Sequence, residues 1–446
     1  MSLAAAGEQL ESTDLAVASA PFAGPAVATG AGMVVVERGR RPSLGSYGLT
    51  NRAYLALPSV EAPTFFLPLD CPAALRYALR ESLAPPARWK RVRNRLLEPA
   101  LARGLAPASR LVNVAQRGHG EPFLVAAAHD LGIPRTIEWF LAAGQGDALS
   151  RGVFQVFERD ALEPRWALKF ARVPDYAEPF DRDERGLRLA HEVGGPIVEH
   201  APHFLGRLVA GGLHASLESA AVGQRLIGFL HTAAPRREKL RAIEAVAGWT
   251  LAVARHTRAA PARLEPERDR LRQHVLPKWP GAPAELADEL AAVPGVFQHR
   301  DLGSWNVVVR PGGFTVLDWE DAVLDAPPLW DLWYLLEDAL AHLDGAAGPD
   351  ARESHFVRLF RGELPASAIL FRWTRQTVEV LDLPVDVVST LATLCWLNEG
   401  LGHHERVSAI ERYAPGTERA RTQHERMGEL WLSTPGLGLG WNAWRL

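Results

Sequence analysis

Hydrophobic positions change their spacing several times along the chain, and each change predicts a different kind of element. Thr136–Gly144 (TIEWFLAAG), Gly152–Glu158 (GVFQVFE) and Arg165–Arg172 (RWALKFAR) are short runs rich in β-branched and aromatic residues, which predicts three consecutive strands. A helix is predicted over Asp183–Val193. RLVAGGLHA (Arg207–Ala215) and ESAAVGQRLIG (Glu218–Gly228) then predict two more strands. From about His231 the period becomes helical, with an apolar stripe along Lys239–Thr257. Two short strands, Asn306–Val309 and Phe314–Leu317, interrupt this half. Beyond Leu329 the pattern is helical to about Leu432.

Upstream, Met33–Val36, Arg52–Ser59 and Thr64–Leu69 predict short strands, Pro72–Leu101 predicts helices, and Pro122–Leu131 predicts one short helix. Residues 1–30 are rich in Ala, Gly, Ser and Pro without a sustained period, which predicts a disordered tail. The expected divisions are the tail, a small accessory α/β unit over 31–120, a strand-rich lobe over 121–230 and a helical lobe over 231–446. The fold class is α+β, two-lobed, with a cleft expected between the lobes.

Composition narrows the function. The chain has 446 residues, 47% of them hydrophobic, enough for a large core. Its formal net charge of −3 gives no global basic field, so neither nucleic acid nor a membrane surface is an expected partner. Cys71 and Cys395 are the only cysteines, which excludes a disulfide framework and a Cys-rich zinc module. No apolar run approaches the roughly 20 residues of a membrane span. The first residues carry acids and no basic n-region. A cytoplasmic location is the expectation. Of 49 basic residues only four are Lys, so a lysine here reads as a chemical choice.

The chemistry gathers in VFQHRDLGSWNVVV (Val296–Val309). Asp301 precedes a turn and is free to accept a proton from an incoming hydroxyl. Asn306 opens one predicted strand, and Asp318, in FTVLDWED, closes the next. A hairpin turning at RPGG (Arg310–Gly313) would bring Asn306 and Asp318 together as a hard oxygen site suited to Mg²⁺. Asp and Asn are also common turn residues, but three in this order with His299 point to a site. In the strand-rich lobe, Gly144, Gly146 and Gly152 lie between two strands, where close backbone amides could cover phosphates or simply form a hairpin turn. Lys169 should face the opposite side from Leu168 and Phe170, into the cleft. Glu184 could pair with it, although Asp183 and Glu192 lie on the same helix. Asp321, Asp325 and Glu337 could hold a cationic acceptor or form a solvated helix-end cluster.

These pieces resemble the aminoglycoside phosphotransferase/choline kinase family, the small-molecule branch of the protein-kinase-like fold. HRDLGSWN is similar to its catalytic loop, VLDWED to its metal-binding segment, APPLWDLWYL to the helix that follows, and WALKFAR to its lysine strand. AVGQRLIG (Ala221–Gly228) resembles the hinge, with Val222 and Gln224 as nucleotide contacts. The resemblance covers roughly 135–400. It implies Asp301 as catalytic aspartate, Asn306 and Asp318 on Mg²⁺, Lys169 on the α/β-phosphates of ATP, and Glu184 positioning Lys169. It implies His299 as an anchor of the loop, and Asp331 as a helix cap that ties the loop down. The implied activity is an ATP-dependent phosphotransferase acting on a hydroxyl of a small molecule such as an amino sugar, sugar or amino alcohol. LDWED in place of Asp-Phe-Gly argues against a protein kinase, and the presence of Lys169, Asp301, Asn306 and Asp318 argues against a silent pseudokinase.

Overall fold

A computed structural model describes residues 35–38, 50–59, 63–82, 88–103, 105–116, 121–143, 149–413 and 423–437. The chain forms two compact units. Among the described residues, the first holds those up to Glu184 together with 202–224; the second holds 185–201 and those from Arg225 onward.

The first unit is built on one antiparallel sheet of nine strands: β1 (Val35–Arg38), β2 (Thr50–Leu57), β3 (Phe65–Pro68), β4 (Leu111–Gln116), β5 (Ile137–Ala142), β6 (Gly152–Glu158), β7 (Trp166–Phe170), β8 (Phe204–Ala210) and β9 (Leu213–Ser219). Their order is β1-β4-β2-β3-β5-β6-β7-β9-β8. The period of two sorts side chains to two separate cores. Tyr54, Ala56, Trp139, Leu141, Phe154 and Val156 join one cluster; the alternate residues Leu55, Phe140 and Phe157 join the other. Helix α1 (Pro72–Tyr77) packs Ala74, Leu75 and Tyr77 into the second cluster, and α2 (Arg88–Ala102) adds Leu101. Helix α3 (Phe123–Ala127) gives Leu124 and Val125 to the first. Burying Trp139 or Phe140 contributes roughly 2–3 kcal/mol each.

Three expectations are corrected here. The accessory unit over 31–120 is not separate from the strand-rich lobe. Strand β3 pairs with β5 through Phe65↔Ala142 and Phe66↔Leu141, and both clusters run across that seam. RLVAGGLHA is not a single strand but the two arms of the β8–β9 hairpin, with Gly211 and Gly212 at its turn. The second predicted strand, Glu218–Gly228, is not one strand either: Glu218 and Ser219 end β9, Gln224–Arg225 form the two-residue β10, and helix α5 (Leu226–Leu230) follows. The expected tail, 1–30, lies outside the described residues.

Helix α4 (Glu178–Val193) belongs in part to each unit. The second unit continues with α6 (Arg236–Thr257), α7 (Glu265–Arg270), β11 (Val296–Gln298), the hairpin β12 (Val307–Arg310) and β13 (Gly313–Val316), and β14 (Val323–Ala326). Five helices follow: α8 (Trp330–Asp344), α9 (Pro349–Phe360), α10 (Ser367–Leu381), α11 (Val387–Tyr413) and α12 (Gln423–Ser433). Every residue of α8 from Trp330 to Ala341 is buried, so its three acids, Asp331, Glu337 and Asp338, must find partners inside. Trp396, Trp431, Phe356 and Phe360 lock α9, α11 and α12 together by edge-to-face contacts.

Candidate active site

The loop after β11 is held almost entirely through its backbone. Asp331 accepts the His299 N–H on Oδ2 at 2.6 Å and the Arg300 N–H on Oδ1 at 2.8 Å. Its own N–H donates to Gln298 Oε1 at 2.8 Å. Asp331 does not cap α8 as expected: the cap is Leu329, in the left-handed region with φ 74°, and both Asp331 oxygens are committed to the loop. Burial pushes the Asp331 carboxyl up to about 6, against the two N–H groups and Arg300. His299 is fully buried. The pattern around its ring assigns the tautomer: Nε2–H donates to Leu317 O at 2.9 Å, and Nδ1 accepts the Asp301 N–H at 3.3 Å. Asp338 accepts the Ser304 N–H at 2.9 Å.

Arg300 makes the turn with φ 67°, a conformation that costs a non-glycine residue about 1 kcal/mol. Its guanidinium lies 2.5 Å from Glu267, which also holds Arg270 at 2.8 Å. Burial alone would raise the Glu267 carboxyl, but the two arginines bring it below its ordinary value.

Asn306 Nδ2 donates to Asp301 O at 2.9 Å and to Asp301 Oδ2 at 2.7 Å. That commits the amide nitrogen and leaves its oxygen as the group able to meet a cation. The β12–β13 register runs from Val307↔Val316 to Arg310↔Gly313, and the Leu317 N–H donates to Asn306 O at 2.7 Å. Asp318 therefore leaves the hairpin beside Asn306, with φ 59°. Burial, then Asp321, Asp318 and Glu320, push the Asp301 carboxyl well above its usual range, the Asn306 bond opposing them. Glu399 on α11 is pushed well up in the same way, by burial and then by Asp301 and Asp331.

This donor set fits a small divalent cation. All its members are hard oxygens, and the carboxylates stand close enough to disfavour one another's charge. Among the described residues no three His, Cys, Asp or Glu side chains form a closed metal cage. An amide oxygen and one carboxylate match the way Mg²⁺ is held when substrate phosphates supply the remaining positions.

The lysine site is different. Lys169, 5% exposed on β7, has Nζ 3.1 Å from Asp183 Oδ2 and 3.1 Å from Glu218 Oε1. Arg151 lies 3.6 Å from the same Asp183 oxygen. The expected pairing with Glu184 is corrected: Glu184 lies 3.9 Å from Arg207. The helical period explains why. Phe180, Asp183, Leu187 and Ala190 fall on one buried stripe of α4, and Glu184 is turned about 100° away from it. That stripe was visible in the sequence. Glu218 was not predicted. In the β7–β9 register Ala167 faces Glu218 and Lys169 faces Ser216, so Glu218 is the diagonal neighbour of Lys169 on one face.

Gly144 and Gly146 lie outside the described residues. At Gly152 a Cβ would stand 2.2 Å from the Phe170 ring, so this glycine serves packing. Val222 packs against the second cluster of the first unit. Between Val222 and Gln224, the Gly223 N–H donates to the Tyr77 oxygen at 2.9 Å and Tyr77 O–H donates to Gly223 O at 3.3 Å. Gln224 is half-buried at the start of β10. Asp321, Asp325 and Glu337 do not form one cluster: Asp321 is exposed, Asp325 pairs with Arg263 at 2.8 Å, and Glu337 is buried within 3.4 Å of Arg352.

One more close approach braces the Asp318 segment. A Cβ on Gly186 of α4 would stand 1.8 Å from the Trp319 carbonyl oxygen, so the helix backbone lies directly against Trp319.

The model of the phosphotransferase enzyme family called APH matches residues 114–369, more than half of the chain. The protein belongs to this family of phosphotransferases. Among solved structures, an aminoglycoside-3'-phosphotransferase of type VIII is 18% identical, with 58% of this chain and 100% of that one covered and a TM-score of 0.33. A glucosamine kinase in complex with glucosamine, ADP and inorganic phosphate is 15% identical, covering 64% and 81%, with a TM-score of 0.34. A choline kinase from Cryptosporidium parvum Iowa II is 10% identical, covering 72% and 98%, with a TM-score of 0.35. No curated protein matches the sequence. Among the described residues no helix is long and apolar enough to cross a membrane.

Proposed function

We propose that the protein transfers the γ-phosphoryl group of ATP to a hydroxyl of a small molecule, an amino sugar, sugar or amino alcohol. The observation that carries this reading is the Asp301–Asn306 pair. One carboxylate is held open by an amide whose oxygen is left for a cation, on the loop that the family match covers.

Phosphoryl transfer asks for position and neutralised charge more than for covalent chemistry. Asp301 orients the acceptor hydroxyl and takes its proton as the oxygen attacks phosphorus and ADP departs. Asp331, His299 and Asp338 keep that carboxylate in place by fixing the peptide groups around it. Asn306 and Asp318 would hold Mg²⁺, which when bound neutralises phosphate charge. Lys169 neutralises further phosphate charge, and Asp183 and Glu218 fix the direction of its ammonium. Glucosamine and choline, the acceptors named in two of the similar structures, are the first acceptors to try.

The test is nucleotide turnover by the purified protein with ATP, Mg²⁺ and a panel of amino sugars, sugars and amino alcohols. Acceptor-dependent ADP release that disappears in Asp301→Asn is expected. Turnover unchanged in that variant would refute the assignment.

A further inference from the structure

A carboxylate that must receive a proton along one line needs both of its oxygens oriented. Asp301 Oδ2 is held by Asn306. Its Oδ1 meets the hydroxyl of Tyr334, on α8, at 3.4 Å. Tyr334 is itself buried, and its hydroxyl lies 3.2 Å from His424 Nε2, on α12.

Proton counting gives this contact a direction. A phenol has one proton to donate. The proposed role requires Asp301 as the ionised carboxylate, which can only accept, so in that state the phenol proton points at Asp301. The phenol oxygen is then left to accept, and His424 must carry its hydrogen on Nε2. Three rings fix the geometry. Trp305 stands edge-on to Tyr334 with centroids 5.8 Å apart, and His424 lies 5.2 Å from Tyr334 and 6.1 Å from Trp305. His424 lies beyond residue 369, where the family match ends.

We propose that Tyr334 and His424 are positioning residues for the phosphotransfer: a chain of donors, His424 N–H to Tyr334 and Tyr334 O–H to Asp301, sets the orientation of the Asp301 carboxylate. This rests on Asp301 being the group that receives the acceptor's proton. The chain is serial. His424 acts only through the Tyr334 hydroxyl, so removing both should cost no more than removing the hydroxyl alone.

The experiment uses the full chain with Mg-ATP and the best acceptor of the panel, or water if ATP hydrolysis is the only turnover. It compares Asp301→Asn, Tyr334→Phe, His424→Leu, His424→Gln and the double variant Tyr334→Phe/His424→Leu. Tyr334→Phe and His424→Leu are expected to lower kcat about tenfold, with KM for ATP within about twofold of the parent. His424→Gln, which keeps an N–H donor, should recover most of what His424→Leu loses. The double variant should match Tyr334→Phe. Parental kcat in Tyr334→Phe beside an inactive Asp301→Asn would overturn the chain and leave the function standing. An active Asp301→Asn would overturn the function itself. If His424→Gln is as poor as His424→Leu, or the double variant falls another tenfold, the serial chain is wrong. If Tyr334→Phe lowers the melting temperature sharply, the His424 pair decides, because it leaves the hydroxyl in place.

Discussion

Lys169 and Asp301 are both buried charged groups, yet their surroundings differ in sign. Lys169 is met by two carboxylates, Asp183 and Glu218, with Arg151 near the first. Asp301 is met by the charges of Asp318, Glu320 and Asp321, and among the described residues the groups that touch its oxygens are the neutral donors Asn306 and Tyr334. The first site closes its charge within the protein. The second sets like charges against one another, and under the proposed function a cation would lessen that repulsion. On the proposed function, one site would serve stability as well as phosphate binding, and the other would gain from the cation it binds.

The largest expected effect tests that contrast on activity. Asp301→Asn should lower kcat by about 10²–10⁴-fold. It should at the same time raise the melting temperature by about 1–3 °C, because it removes one charge from the carboxylate group. A fall in melting temperature would break the comparison. Next, Lys169→Met leaves Asp183 and Glu218 buried without their ammonium. It should destabilise the fold by about 3 kcal/mol, read by denaturant unfolding, as well as reduce turnover. A smaller effect separates neighbours on α4. Asp183→Asn should lose about 1–2 kcal/mol, whereas Glu184→Gln should change stability by less than about 0.5 kcal/mol.

A separate test, outside the two sites, is a pH dependence inside α8. Burial pushes the Glu337 carboxyl up to about 8, with Arg352 opposing. Asp338, one residue on, is brought down to about 2 despite burial, by His342 and Arg352. A raised carboxyl favours the folded state while protonated, so Glu337 should cause stability to fall as pH rises from about 4.5 through about 8. Glu337→Gln should match the parent near pH 5 and be the more stable protein at pH 9, as read from melting temperatures. Asp338 acts oppositely: its contribution is present at neutral pH and lost only as pH falls through about 2.

What could be read from the sequence follows from how local each feature is. Asn306 and Asp318 flank one hairpin, and the turn residues RPGG predict where that hairpin reverses. The strands β2, β3, β5, β6 and β7 were visible as period-two runs. Their assembly was not, because nothing in the run Phe65–Pro68 announces pairing with Ile137–Ala142, and an expected domain boundary fell across a continuous sheet. The glycine pair in RLVAGGLHA was passed over as strand, although two glycines together are a turn signal. Asp183 was legible from the apolar stripe of α4. Glu218, Tyr334, Glu399 and His424 reach their sites only through tertiary packing, and no spacing in the chain connects them to Lys169 or Asp301.

Gly186 has a consequence for engineering. In a helix interior, replacing glycine with alanine is among the safest ways to raise thermostability, worth up to about 1 kcal/mol. Here the added methyl would collide with the carbonyl of Trp319, the residue that follows Asp318. A design that applied the general rule at this position would displace the segment that carries Asp318. Libraries aimed at hardier variants should keep this glycine fixed and look for their gains on the solvent face of α4.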